Sequence, residues 1–195
     1  MWLRDSANQM QSYLSLLRAD SSFDSIAGLF RGVINLQARY ILISPHCNSF
    51  QPPVESGIAP EIKNDPADRV TPSYSTREVF ECKYELDSLA AFLQISTEYF
   101  EATGDIEFFR SYRWVDAVKK IVDTTEALRT GTYAANGSVN EVPYTFRRLT
   151  TAGTETLANR GRGNPVSEGT GMIRSAFRPS DDAYASGTNV GCEVC

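Results

Sequence analysis

Leu86-Asp87-Ser88-Leu89-Ala90-Ala91-Phe92-Leu93-Gln94-Ile95-Ser96-Thr97-Glu98-Tyr99-Phe100-Glu101-Ala102-Thr103-Gly104, continued at once by Asp105-Ile106-Glu107-Phe108-Phe109, decides the fold of this chain. Leu86, Leu89, Ala90, Leu93, Thr97 and Phe100 recur at the spacing of one helix face, and Gly104 suits the left-handed position after a helix end. The first turn carries Glu85 and Asp87. A second helix follows over about 105–129, with Ile106, Phe109, Val115, Val118, Ile121, Val122 and Leu128 as its buried stripe and Gly131 beyond it. So short a link between two helices implies an antiparallel hairpin.

Upstream the same pattern recurs. Met10, Tyr13, Leu14 and Leu17 behind the capping candidates Asp5 and Ser6 predict a helix over about 7–19. Ile26, Leu29, Phe30, Val33 and Ile34 predict another from about Ser25 to Ile43, closed by Pro45 and by Gln51-Pro52-Pro53. Residues 44–78, rich in Pro, Ser and Asp, read as a long loop. From 131 to 171 Gly, Thr and Asn dominate, and the strand-like Val142-Pro143-Tyr144-Thr145-Phe146 allows a short hairpin at most. The expected class is all-α, as helical pairs separated by polar loops that carry charged clusters. Loops of that length in a compact domain are usually functional.

With 195 residues, 42% hydrophobic and 22% charged, the chain has the composition of a soluble globular domain. A net charge of −5 excludes a phosphate-binding face, so no nucleic acid partner is expected. The only basic pairs, Arg147-Arg148 and Lys119-Lys120, read as solvated surface. No run approaches the roughly 18 consecutive apolar residues of a membrane span, and Arg4, Asp5, Asn8 and Gln9 rule out a signal peptide at the start. Of the four cysteines only Cys192 and Cys195 have a metal-like or redox-like spacing, and with the single His46 they make no zinc site. No cofactor is called for. Asn136-Gly137-Ser138 is an N-glycosylation acceptor pattern, too common a tripeptide to set a compartment. The compartment stays open, with the secretory pathway or the extracellular space favoured.

Three clusters carry chemistry. Glycosidic cleavage needs two carboxyl groups flanking the bond, one protonated for the leaving oxygen and one that activates water or attacks the sugar. Asp181 or Asp182, in Arg178-Pro179-Ser180-Asp181-Asp182, can supply one. Like charges side by side raise one pKa, although adjacent residues on an extended backbone point opposite ways. An Asx turn or helix cap after Pro179 explains the pair equally well. Arg4 and Asp5 suit the vicinal hydroxyls of a sugar, with Trp2 against its apolar face, while Asp5 serves equally as a plain cap. Lys83, Glu85 and Asp87 share one face if the backbone is extended; if it is helical they form a salt-bridged helix start. His46 has no catalytic triad motif around it, and Gly161-Arg162-Gly163-Asn164-Pro165 lacks the ending of a phosphate loop.

Taken together, Met1-Trp2-Leu3-Arg4-Asp5-Ser6, Lys83-Tyr84-Glu85-Leu86-Asp87-Ser88 and Phe177-Arg178-Pro179-Ser180-Asp181-Asp182-Ala183 resemble the signature segments of glycoside hydrolase family 125, the metal-independent exo-α-1,6-mannosidases. Ser6-Ala7-Asn8-Gln9, Gly32-Val33-Ile34-Asn35-Leu36-Gln37 and Glu155-Thr156-Leu157-Ala158-Asn159 resemble its fungal, meiotically up-regulated branch. The resemblance covers residues 1–183. It implies part of an (α/α)6 barrel, inverting release of terminal α-mannose from mannose-containing oligosaccharides or N-glycans, and a general acid at Asp182 or Asp181. It also implies a mannose subsite lined by Trp2, Arg4, Asp5, Lys83, Glu85, Asp87 and Arg178. The family's catalytic base, a glutamate in a Met-His-Glu-type motif of its C-terminal half, has no counterpart in these residues. Residues 184–195 depart from the family pattern and read as an unpacked tail. The chain is therefore expected to hold the acid side of the site and to be inactive alone, the alternative being a non-catalytic carbohydrate-binding or interaction module.

Overall fold

The computed structural model describes residues 1–62, 68–148 and 157–176, apart from the side chain at 158. The chain divides into two compact units, Met1–Pro45 with Asp87–Val122, and His46–Leu86 with the chain from Asp123 onward. The structure is predominantly helical: α1 (Leu3–Gln11), α2 (Ile26–Ile43), α3 (Leu86–Thr103), α4 (Ile106–Ser111) and α5 (Trp114–Ala127).

In the first unit, Ser25 caps α2 by accepting the Gly28 N–H, as its position before the apolar run predicts. Phe30, Ile34, Ala38 and Ile41 are its buried stripe, while Leu29 is turned to solvent. By length and mean hydropathy α2 passes for a membrane span, yet that buried stripe, broken by a buried Gln37, is the pattern of a core helix. Gln37 Nε2 donates to the Leu3 carbonyl and to Ser6 Oγ, fastening α1 to α2.

Helix α3 occupies the expected residues and ends on Gly104 at φ 65°. Its buried face is Leu86, Leu89, Phe92, Ile95 and Tyr99, whereas Leu93, Thr97 and Phe100 of the expected stripe are not buried. The helix is apolar on more than one side, so periodicity alone does not choose a face. Asp105 caps α4 through the Phe108 N–H and receives the Tyr99 hydroxyl on its other oxygen at 2.7 Å. Phe108 and Phe109 thereby fold back onto Tyr99, closing a helical hairpin.

Two helix boundaries differ from expectation. The first helix runs over Leu3–Gln11, not 7–19, so Asp5 and Ser6 lie inside its first turn and Trp2 holds the cap position. Beyond it the chain tightens into a single 3-10 turn, Leu14–Leu16. The helix expected over 105–129 is two, because Tyr112 is extended (φ −126°, ψ −178°). That break lets Trp114 pack edge-on against Phe109 and donate its indole N–H to Ser96 Oγ at 3.0 Å.

The second unit carries strands where residues 44–78 read as loop: β1 (Ser49–Phe50), β2 (Asp68–Thr71), β3 (Val79–Glu81) and β4 (Thr145–Arg148). β1 pairs antiparallel with β3, and β2 with β4, opposing Asp68 to Arg148 and Val70 to Phe146. The strand-like segment near Phe146 thus finds its partner far back in the chain, and among the described residues the local pairing is an isolated bridge, Tyr133 to Val139. A disulfide between Cys47 and Cys82 flanks the β1–β3 ribbon. Its cysteines lie 35 residues apart, a separation that carries no pairing signal in the sequence.

Candidate active site

In the first unit the Trp2-to-Ser6 segment becomes the start of α1 because Leu3, Ala7 and Met10, spaced for one helix face, are all buried. Ser6 Oγ turns back to the Trp2 and Leu3 carbonyls at 2.7 and 3.0 Å instead of capping. Arg4 is left at the rim with its guanidinium between two carboxylates. Nη1 donates to Asp87 Oδ2 at 3.1 Å, and Nη2 lies 3.6 Å from Asp5 Oδ2. Asp5 and Asp87 each sit in the first turn of a helix, where the dipole favours negative charge. The Asp5 carboxylate is half exposed, and the Arg4–Asp87 pair is largely shielded. A guanidinium fork beside partly open acceptors is the donor and acceptor set that vicinal hydroxyls require.

In the second unit the segment between β3 and α3 lies outside any helix or strand and is held by side-chain hydrogen bonds. Asn48 Oδ1 accepts the Lys83 N–H at 3.1 Å, and the Tyr144 hydroxyl accepts the Tyr84 N–H at 3.1 Å while donating to the Cys82 carbonyl at 2.9 Å. His46 stacks on Tyr144 and meets Tyr84 edge-on. Burial pushes the Tyr144 hydroxyl well above the ordinary tyrosine range, so it stays protonated and keeps donating. Lys83 and Glu85 are both buried, and Lys83 Nζ approaches Glu81 Oε1 at 4.0 Å.

Glu81 also lies 3.5 Å from Arg148 Nη2, and Arg148 grips Asp68 bidentately at 2.5 and 2.6 Å while covering the Phe146 ring. The Arg147-Arg148 pair is therefore not simply solvated surface. Strand alternation exposes Arg147 and buries the Arg148 side chain to 9% exposure. The two-pronged bond to Asp68 is what offsets the shielding of the Arg148 charge. An open cleft of about 550 Å³ follows this ribbon, lined by Asp68, Thr71, Tyr74, Thr145 and Arg147. Burial, and then the Asp68 and Glu81 carboxylates, raise the Tyr74 hydroxyl.

The structure thus brings Arg4, Asp5 and Asp87 together, and separately sets Lys83 beside Glu81. Trp2 precedes α1 at intermediate exposure. Arg178, Asp181, Asp182 and the tail 184–195 lie outside the described residues. The segment leading to them is anchored: Ser175 Oγ accepts the Leu86 N–H at 3.3 Å, and Arg174 donates to Thr132 Oγ1 at 3.1 Å. Asp68, Glu81, Asn48, Tyr144 and Arg148 escape sequence reasoning as site-building residues. Their only advance signal is the acid and base alternation of Glu81-Cys82-Lys83. Among the described residues no group of three or more His, Cys, Asp or Glu is placed to hold a metal ion.

Comparison with known proteins gives this arrangement its context. Residues 1–193 match the family model for metal-independent alpha-mannosidase (GH125). The chain is 45% identical over 183 residues to the meiotically up-regulated gene 157 protein of Schizosaccharomyces pombe, across 93% of this chain and 35% of that protein. It is also similar to a metal-independent alpha-mannosidase of Streptococcus pneumoniae, solved as a non-productive complex with alpha-1,6-mannobiose. That match has a TM-score of 0.71 and 30% identity, over 95% of this chain and 38% of the other. The helical hairpins are of the kind found in a glycoside hydrolase. The chain belongs to the metal-independent alpha-mannosidase family, GH125. It spans a little over a third of the length of either relative.

Proposed function

We propose that this chain is the mannose-binding and proton-donating portion of an exo-acting, inverting α-1,6-mannosidase of the fungal branch, within a fold completed as an (α/α)6 barrel. Asp182 is the general acid, with Asp181 beside it. Trp2, Arg4, Asp5, Lys83, Glu85, Asp87 and Arg178 bind the terminal mannose of an oligosaccharide or N-glycan. The observation that carries this reading is the Arg4–Asp87 bond, which joins two family-like segments at the starts of two helices. The sugar complex of the Streptococcus pneumoniae relative supports the substrate class.

Inverting hydrolysis needs an acid on the leaving oxygen and a base on the water, and the Met-His-Glu-type base motif does not occur in these 195 residues. The polypeptide by itself therefore binds mannose without cleaving the glycosidic bond. Calorimetry with mannose and an assay on α-1,6-mannobiose test both halves. Binding abolished by Arg4→Ala, with no mannose released, is the expected result. Turnover by the pure chain would sink the claim of inactivity, and absence of binding would sink the subsite.

A further inference from the structure

We propose that Asn136 is an acceptor for an N-linked glycan and that the chain matures in an oxidising, glycosylating compartment. Asn136-Gly137-Ser138 is the only Asn-x-Ser/Thr tripeptide in the chain, and the fold presents it at an exposed tip. The Gly137 N–H closes a turn on the Ala134 carbonyl at 2.8 Å, and the Ala134 N–H reaches the Ser138 carbonyl at 2.8 Å. The Tyr133–Val139 bridge pins the base of this loop. Residues 135–139 are exposed, Gly137 takes the left-handed φ of 81°, and no atom beyond its two chain neighbours lies within 4 Å of where its Cβ would be. The space a transferase needs around the acceptor is open.

The acceptor geometry is equally specific. Asn136 Oδ1 takes hydrogen bonds from the Ser138 hydroxyl at 2.6 Å and from the Ser138 N–H at 3.0 Å. Two donors on the carboxamide oxygen draw electron density from the amide and make an Nδ2 proton easier to remove. Nδ2 then attacks the anomeric carbon of a lipid-diphosphate-linked oligosaccharide. The C–N bond forms as the C–O bond to the diphosphate breaks, the lipid diphosphate leaves with the electron pair, and the Nδ2 proton passes to a base of the transferase. An independent feature points to the same compartment. Cys47 and Cys82, each 2% exposed, are joined in a disulfide. Such bonds persist in secretory and extracellular proteins and are rare in the cytosol.

The test is peptide mapping of the protein purified from its own cells, treated with a glycan-releasing amidase in heavy-oxygen water. The tryptic peptide 130–147 is expected to carry heavy-oxygen aspartate at 136 and unchanged Asn at 140, with Cys47 and Cys82 resistant to alkylation before reduction. Spontaneous deamidation of Asn136-Gly137, which precedes the treatment, leaves no heavy label. Asn136→Gln and Ser138→Ala should each abolish the glycan's gel shift, and Ser138→Thr should retain it, which separates acceptor chemistry from misfolding. Unlabelled Asn136 in the native protein overturns the proposal, as does a glycan shift that survives Asn136→Gln.

Discussion

Arg4 Nη1 donates to Asp87 Oδ2 across 3.1 Å although 83 residues separate them in sequence. Each sits in a helix start, so α1 and α3 already order both backbones and only the two side chains remain to be fixed. Arg4→Ala and Asp87→Ala, alone and combined, should show a coupling energy of about 1 kcal/mol in urea denaturation. Both single variants should lose any mannose-dependent rise in melting temperature. Fully additive destabilisation would mean that the pair is incidental.

The Tyr144 hydroxyl serves two buried backbone groups, so Tyr144→Phe leaves the Cys82 carbonyl and the Tyr84 N–H without it. A loss of about 1–3 kcal/mol is expected. The same hydroxyl sets an alkaline limit. Its folded pKa lies well above the ordinary 10.0, because burial penalises the phenolate. The folded chain keeps a proton that the unfolded chain releases, so this contribution is complete below about pH 10 and is lost as pH rises through the folded value. Melting curves from pH 9 upward should fall less steeply for Tyr144→Phe than for the parent chain.

Arg148 faces Asp68 and Glu81, and Arg147 faces away from them. Arg148→Met should cost about 3–5 kcal/mol, since it strands shielded carboxylates. Arg148→Lys should recover only part, because an ammonium cannot form the two-pronged bond to Asp68. Arg147→Met should stay within about 0.5 kcal/mol of the parent. Equal effects at the two positions in chemical denaturation would contradict the assigned strand register.

Cys47→Ser combined with Cys82→Ser should destabilise the chain by about 2–4 kcal/mol, as expected for opening a loop of this length. A reducing agent should lower the melting temperature of the parent chain and leave the double variant unmoved. A parent chain indifferent to reductant would show that the ribbon stands without its bond.

Helix existence was legible where a capping residue opened a periodic run, as Ser25 opens α2, or a left-handed glycine closed one, as Gly104 closes α3. Helix faces were less so. Phe92, Ile95 and Tyr99 are as apolar as Leu93 and Phe100, and only packing chose between them. The break at Tyr112 carries no Gly or Pro to announce it. It follows from the seating of Trp114 on Phe109 and Ser96, which no local pattern encodes.

By itself the chain's sequence determined a predominantly helical protein, the residues of its charged clusters and its family. These follow from local periodicity, capping chemistry and the order of short motifs, all of which reside in neighbouring positions. Only the tertiary structure decided that Arg4 meets Asp87, that Arg148 is shielded while Arg147 is exposed, and that Cys47 joins Cys82. Each of those depends on closing a loop of tens of residues, and the stability gained there comes from partners that sequence proximity does not name.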